Sequence, residues 1–333
     1  MTGEGIPSME FWAGRRVFVT GATGMVGSWL CRRLVDAGAY VVALVRDADP
    51  RSELLRSGVV NRLSVVSGRL EDYPTVARAI NEHEVESVFH LGAQTIVGTA
   101  ARAPLATLEA NVMGTANVLE AARVHRDLVR RVVVASSDKA YGSQPNLPYT
   151  ADTPLRGRHP YEVSKSAADI ITQSYFATYG LPVAVARCGN IFGGGDLNWS
   201  RIVPGSVRAV LRNEPLVIRS DGTFLRDYIF VDDVVDAYLL LGEALDDPEL
   251  AGIALNFSME QPMTVLAMFA AVCRAARRPA LEPVVLGGAH DEIRDQYLDS
   301  SLARKVLGWE ARHTLDAGLE RTVGWYEALG DQV

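Results

Sequence analysis

Ser136-Ser137-Asp138-Lys139 and, further along, Tyr161-Glu162-Val163-Ser164-Lys165 bring hydroxyl, carboxylate and amine groups and a Tyr-x-x-x-Lys pair into one chain of 333 residues. Tyr161 and Lys165 are four residues apart, so on a helix they share a face. An ammonium beside a phenol favours the phenolate and lowers its pKa from about 10. The spacing therefore predicts a base at Tyr161 that takes a hydroxyl proton as hydride leaves the same carbon. Asp138 and Lys139 are acid–base groups that plain alcohol oxidation does not need, and they point to a second chemical step. The competing reading of that pair is a solvated ion pair beside the site.

These residues need a scaffold. Short apolar runs are expected as strands at residues 15–20, 40–46, 63–67, 87–91, 132–136 and 183–187. Amphipathic stretches at 25–37, 73–82, 105–125 and 161–179 read as helices between them. That alternation predicts an α/β fold, a doubly wound parallel sheet of Rossmann type covered on both faces. After Gly189 the rhythm breaks at Gly193-Gly194-Gly195 and Pro204, and a smaller mixed C-terminal region is expected. The expected division is a dinucleotide-binding domain at 13–188, with chain around 222–250 returning to it, and a substrate-binding region mainly at 189–330. Asp232 and Asp233 are expected to cap a helix starting at Val234.

Composition narrows the function. A hydrophobic content of 48% supports a substantial core. A net charge of −7 argues against a general nucleic-acid binder. Three widely spaced cysteines, Cys31, Cys188 and Cys273, read as reduced thiols, and no metal site is expected. Residues 1–12 carry no long apolar run, and no stretch reads as a membrane span, so no membrane partner and a cytoplasmic location are expected.

Gly21-Ala22-Thr23-Gly24-Met25-Val26-Gly27 follows the first strand and opens the first helix. Its glycines let backbone N–H groups approach a pyrophosphate at a helix N-terminus. The second strand ends Val45-Arg46-Asp47. An acid there takes the ribose 2′-hydroxyl of NAD, whereas an Arg pairs with the 2′-phosphate of NADP. Arg46 precedes Asp47, which leaves NAD and NADP both open and tilts the expectation towards NADP. His90-Leu91-Gly92-Ala93-Gln94 ends the fourth strand, where small residues let a flat cofactor ring lie close. His90 itself reads as a packed, hydrogen-bonded histidine rather than a base.

In these motifs the chain resembles the extended short-chain dehydrogenase/reductase family, the nucleotide-sugar epimerases and dehydratases. The likeness spans about residues 15–326. It rests on the glycine loop, His90 to Gln94, Asn111-x-x-Gly114-Thr115, Tyr161-x-x-x-Lys165, Arg187-x-Gly189-Asn190 and Arg226-Asp227-Tyr228-x-x-Val231-Asp232-Asp233. Where the family often has Asp after the glycine following the third strand, this chain has Arg69 after Gly68. Within the family, Ser137-Asp138-Lys139 is most similar to the 4,6-dehydratases, CDP-glucose 4,6-dehydratase-like enzymes among them; 4-epimerases usually carry small neutral residues at the last two positions.

The resemblance implies a tightly held NAD or NADP, a nucleoside-diphosphate sugar as substrate and a homodimer built on the helices at 105–125 and 161–179. It implies cofactor contacts at Gly21, Thr23, Gly24, Met25, Val26, Gly27, Arg46, Leu70, Leu91, Gly92, Ala93, Tyr161 and Lys165. It implies catalytic roles for Ser137, Asp138, Lys139, Tyr161 and Lys165. In that scheme Tyr161 deprotonates the sugar C4 hydroxyl, Ser137 hydrogen-bonds the same oxygen and Lys165 holds Tyr161. Asp138 is the acid for the C6 hydroxyl, and Lys139 is the C5 base if Lys165 and burial lower its pKa. Gln94, Asn190, Arg201, Arg219, Arg226 and Arg294 are the implied substrate contacts. A 4-epimerase needs only Ser137, Tyr161 and Lys165; a cofactor-binding regulator without turnover is the remaining alternative.

Overall fold

Six runs become the parallel strands β1 (Arg16–Thr20), β2 (Tyr40–Val45), β3 (Ser64–Ser67), β4 (Ser87–His90), β5 (Arg131–Ala135) and β6 (Val183–Cys188) in the computed structural model, which describes residues 5–278, 281–288 and 293–333. Ala254–Phe257 adds a seventh strand beside β6, giving the order Ala254–Phe257, β6, β5, β4, β1, β2, β3. Successive side chains on a strand face opposite sides. In β1, Val17 and Val19 enter the core with Trp12, Leu30 and Leu34, while Phe18 enters the core on the other face with Val42, Val118 and Leu119. Burial on both faces explains why these strands, the edge strand β3 apart, read as largely unbroken apolar runs.

The chain winds β1, β2, β3 to one side and then β4, β5, β6 to the other. The order reverses between β1 and β4, and a crevice opens above the carboxyl ends of the strands there. The helix Met25–Asp36 starts at that crevice with Gly24 as its N-cap.

The helix expected at 105–125 is present as an unbroken helical run, Pro104–Leu108, a π-helical turn at Glu109–Met113, and Gly114–Val124, with a separate short helix, Val97–Arg102, before it. Pro104 cannot continue the preceding ladder. Within the π turn the Asn111 carbonyl oxygen also accepts Thr115 Oγ1 at 2.6 Å. Such turns gather near functional sites.

Beyond β6 lie short strand pairs: Asn190–Phe192 with Tyr228–Phe230, Leu225–Arg226 with Met263–Thr264, and Val217–Ile218 with Val284–Val285. The helices Ile202–Arg212, Val265–Ala275 and Leu315–Glu327 pack beside them. Val231–Ala244 runs back to pack on Met25–Asp36 and on β5 and β6. This helix begins at Val231, so Asp233 is not its cap. Its buried carboxylate instead accepts the backbone N–H groups of Arg312 (3.0 Å) and His313 (3.3 Å), and meets His313 Nδ1 at 2.9 Å.

Candidate active site

A cleft of about 1110 Å³ runs over the carboxyl ends of β1, β2, β4 and β5 and on between the two halves of the chain. Its floor is backbone. A Cβ added at Gly21 would lie 2.7 Å from Gly92 N, and one at Gly27 would lie 2.1 Å from Gly21 O. The first and third glycines of the loop are therefore fixed by close packing as well as by any ligand. Gly21, Thr23, Gly24, Met25, Val26, Gly27, Arg46, Leu70, Leu91, Gly92 and Ala93 all line this cleft.

β5 delivers the polar segment. Ser137 caps the single 3₁₀ turn Asp138–Tyr141: its Oγ accepts Lys139 N at 3.2 Å and donates to Asp138 Oδ1 at 3.0 Å. Asp138 is buried, and its Oδ2 has no hydrogen-bond partner among the described residues. Lys139 Nζ donates to Gln296 Oε1 at 2.9 Å. Ser136, Ser137, Asp138 and Lys139 all reach the cleft.

The helix Pro160–Tyr179 places Tyr161 in its first turn and Lys165 one turn on, and both line the same cleft. A bidentate buried ion pair pins this helix to β6: Arg187 Nε and Nη2 donate to Asp169 at 2.8 and 2.9 Å. Arg187 Nη1 also donates to Tyr141 Oη (3.0 Å) and Ala151 O (2.8 Å), tying the 3₁₀ turn to the same point.

The electrostatics differ from the sequence expectation. Burial pushes the Tyr161 phenol above its usual value; Arg201 and a hydrogen bond with Ser137 act against the shift, and Asp138 adds to it. Lys165 is not the group that lowers it. Its Nζ donates to Ala135 O at 2.8 Å, and burial pushes its own pKa down to about 8. Desolvation disfavours both the phenolate and the ammonium here, an effect that spacing along a helix does not reveal.

His90 is buried, and its proton can be assigned from its partners. Thr115 Oγ1 donates to Asn111 O (2.6 Å), so at 2.9 Å it accepts from His90 Nε2. His90 Nδ1 then accepts from Thr20 Oγ1 at 2.8 Å, and Thr20 Oγ1 accepts Gly92 N at 3.0 Å. Burial, aided by Lys165, pushes this imidazole down to about 3, so it stays neutral and serves the fold.

On the substrate side, Asn190, Arg201, Arg219 and Arg226 line the cleft. Arg201 is paired with Asp196 at 3.0 Å. The buried Arg226 guanidinium donates to the carbonyl oxygens of Leu225 (2.8 Å), Arg294 (2.7 Å) and Ile293 (2.7 Å). Two expected contacts are placed elsewhere. Arg294 is exposed, stacks its guanidinium 5.7 Å from the Phe224 ring centroid and donates to Thr223 Oγ1 at 3.3 Å. Gln94 turns its side chain to Ile96 N (3.0 Å), and its backbone is clamped by Asn111, at 2.6 Å from N and 3.0 Å from O. Neither is among the cleft-lining residues. Those that sequence reasoning missed include His159, Trp199, Tyr228 and Tyr238.

A sequence model described as the NAD dependent epimerase/dehydratase family matches residues 17–254. The chain belongs to that family. Among its curated members, CDP-glucose 4,6-dehydratase of Salmonella typhimurium is 29% identical, over 96% of this chain and 92% of the relative. UDP-glucose 4-epimerase of Mycolicibacterium smegmatis is 31% identical, over 93% and 98%. Among solved structures, the dTDP-glucose 4,6-dehydratase of Streptomyces venezuelae with NAD and TYD bound superposes with a TM-score of 0.84 at 26% identity, covering 94% of this chain and 97% of that one.

The residues present fit the family's dinucleotide. The glycine loop opens onto a helix N-terminus, and Ser136 Oγ is buried at the cleft with no partner among the described residues. Among those residues no group of three or more His, Cys, Asp or Glu is placed to hold a metal, and no helix is long and apolar enough to cross a membrane.

Proposed function

We propose that this protein is a nucleotide-sugar 4,6-dehydratase. The observation that carries the reading is the Asp138 carboxyl, buried at the cleft with no partner for Oδ2 among the described residues, beside Lys139 on the same turn. A 4-epimerase has no task for either group.

An oxidised nicotinamide held over the glycine loop would supply the hydride acceptor for sugar C4 and the donor for C6, which makes the sequence redox-neutral. Tyr161 takes the C4 hydroxyl proton. Its phenol is raised by burial, and Arg201 is the protein cation that opposes the shift. Ser137 holds the same oxygen, and Lys165 holds the dinucleotide's ribose. A 4-keto group acidifies the C5 proton, which Lys139 removes. Asp138 gives its proton to the C6 hydroxyl, the C6–O bond breaks, and water leaves as the C5–C6 double bond forms. A proton then returns to C5. Asn190, Arg201, Arg219 and Arg226 hold the diphosphate, guanidinium being suited to phosphate oxygens.

NAD is favoured over NADP. Arg46 Nε is engaged by Asp47 at 2.6 Å, which weakens the case for a 2′-phosphate at Arg46 and leaves an acid beside the ribose site. We also propose a homodimer, because Leu105, Met113, Val124, Ile170 and Tyr179 put large apolar side chains at the surface of the two helical segments expected to pair.

The second reading, a 4-epimerase, is favoured by the 31% identity to the Mycolicibacterium smegmatis enzyme. Incubation with a panel of nucleotide hexoses, read by mass spectrometry, decides between them. A product lighter by one water supports the dehydratase; an isomer of unchanged mass replaces it with the epimerase.

A further inference from the structure

Gln296 lies 157 residues from Lys139 in sequence, yet its Oε1 accepts Lys139 Nζ at 2.9 Å. The carboxamide is fully buried. A buried amide oxygen is expensive to strip of water unless it keeps a hydrogen bond, and this one keeps Lys139, while Gln296 Nε2 has no hydrogen-bond partner among the described residues. The backbone around it is held firmly. Gln296 N donates to Leu225 O at 3.1 Å, and the residue forms a parallel bridge with Arg226. Two residues on, Leu298 N donates to Asp227 Oδ2 at 3.1 Å. Tyr149 N donates to Tyr297 O at 2.9 Å, and Asp299 N to Tyr149 O at 2.8 Å.

We propose that Gln296 is a positioning residue for Lys139, aiming its amine at the sugar C5 proton. A carboxamide is well suited to this. It accepts an N–H and so fixes the direction of the amine, but adds no charge, whereas a carboxylate in its place would hold the amine's proton. The same strand segment carries Ile293, and its bridge partner is Arg226; both line the cleft. The wall that meets the substrate is therefore continuous with the group that orients the base. Asp138 adjoins Lys139 on the same turn, Glu162 and Lys165 lie on the helix packed against that turn, and Arg226 and Asp227 lie on the segment paired with the 296–298 stretch. All of them remain in the variants below.

Under the dehydratase reading, on which this rests, removing the acceptor slows the second half of the reaction and spares the first. Gln296→Met keeps the volume and removes the acceptor; Gln296→Glu keeps an acceptor and adds charge. Holoenzyme is followed with the nucleotide hexose that the unmodified protein dehydrates. For Gln296→Met, kcat for water loss should fall about 10–100-fold with KM within about threefold, while reduced-nicotinamide absorbance builds up during turnover. For Gln296→Glu, the pH profile of water loss should move up by about one unit or more. Unchanged kcat, a rise in KM alone, or a loss of the absorbance signal together with kcat overturns the proposal. Should the Met variant fail to fold, an unmoved pH profile in the Glu variant overturns it. If the unmodified protein yields only an isomer, the dehydratase reading falls and this inference with it, an outcome visible without any variant.

Discussion

Ser137 Oγ donates to Asp138 Oδ1 across 3.0 Å, and Oδ2 of the same buried carboxyl has no partner among the described residues at the cleft. One oxygen is oriented by the protein and the other is left for a ligand. Asp138→Asn keeps the shape and removes the acid. Water loss should fall by about 10²–10⁴-fold, while reduction of bound cofactor by the nucleotide hexose continues within about tenfold. Stopped-flow absorbance of the nicotinamide, beside mass analysis of the product, separates the two half-reactions. Normal water loss in this variant would remove Asp138 from the chemistry.

The Asp169–Arg187 pair predicts a stability effect of known direction. Both side chains are buried, and the pair joins the Pro160–Tyr179 helix to β6 under the Asp138–Tyr141 turn. Removing one partner of a buried pair leaves the other charge uncompensated, which costs about 3–5 kcal/mol. Asp169→Asn should therefore lower the unfolding free energy by that much. Activity should fall with it, because Tyr161 and Lys165 ride on the same helix. An unfolding free energy within about 1 kcal/mol of the parent, measured by urea titration, would show that the pair is not holding the helix.

Much of this architecture was legible in the chain. β1 to β6 lie within a residue or so of their expected ends, because a parallel strand buried on both faces leaves a continuous apolar run, the edge strand β3 with only Val66 buried being the exception. The glycine loop and the Tyr161-to-Lys165 turn were legible for the same local reason. Features set by distant partners were not. The π turn at Asn111 depends on a side chain that clamps Gln94 and reaches Ser164 Oγ at 2.9 Å. Strands of two or three residues such as Leu225–Arg226 exist only through their partners. The upward shift of Tyr161 follows from burial, and no spacing of charges announces it. Arg294 and Arg219 look alike in sequence, yet only Arg219 reaches the cleft.

His90 makes stability depend on acid in a predictable sense. Its folded pKa is about 3, against an ordinary value of 6.5. Between those values the unfolded chain binds a proton that the folded chain refuses, so stability is full above about 6.5 and is lost as pH falls towards 3. The slope from one such group is about 1.4 kcal/mol per pH unit. Asp227 and Glu243, pushed up by burial to about 6 and about 7, act in the opposite sense, so the useful quantity is a difference. His90→Gln should be less stable than the parent at pH 7, and the gap should narrow on acidification from pH 6 to pH 4. Parallel denaturation curves across that range would show that His90 is not refusing a proton.

Gly27 gives the sharpest test of the cofactor loop. A Cβ there would sit 2.1 Å from Gly21 O and 2.8 Å from Gly21 C, both backbone atoms of the loop's own first turn. Neither can rotate away as a flexible side chain would, so the loop or the start of the Met25–Asp36 helix must move. Gly21 cannot yield easily, because its φ is +69° and its own space is bounded by Leu91 and Gly92. The strain falls on the backbone N–H groups expected to meet the pyrophosphate. Gly27→Ala should weaken dinucleotide binding by at least about tenfold, or about 1.4 kcal/mol, with a smaller loss of stability. Isothermal titration of the cofactor-stripped protein with NAD reads the first, and thermal unfolding without cofactor reads the second. Unchanged affinity would mean that the glycine serves helix–strand packing alone.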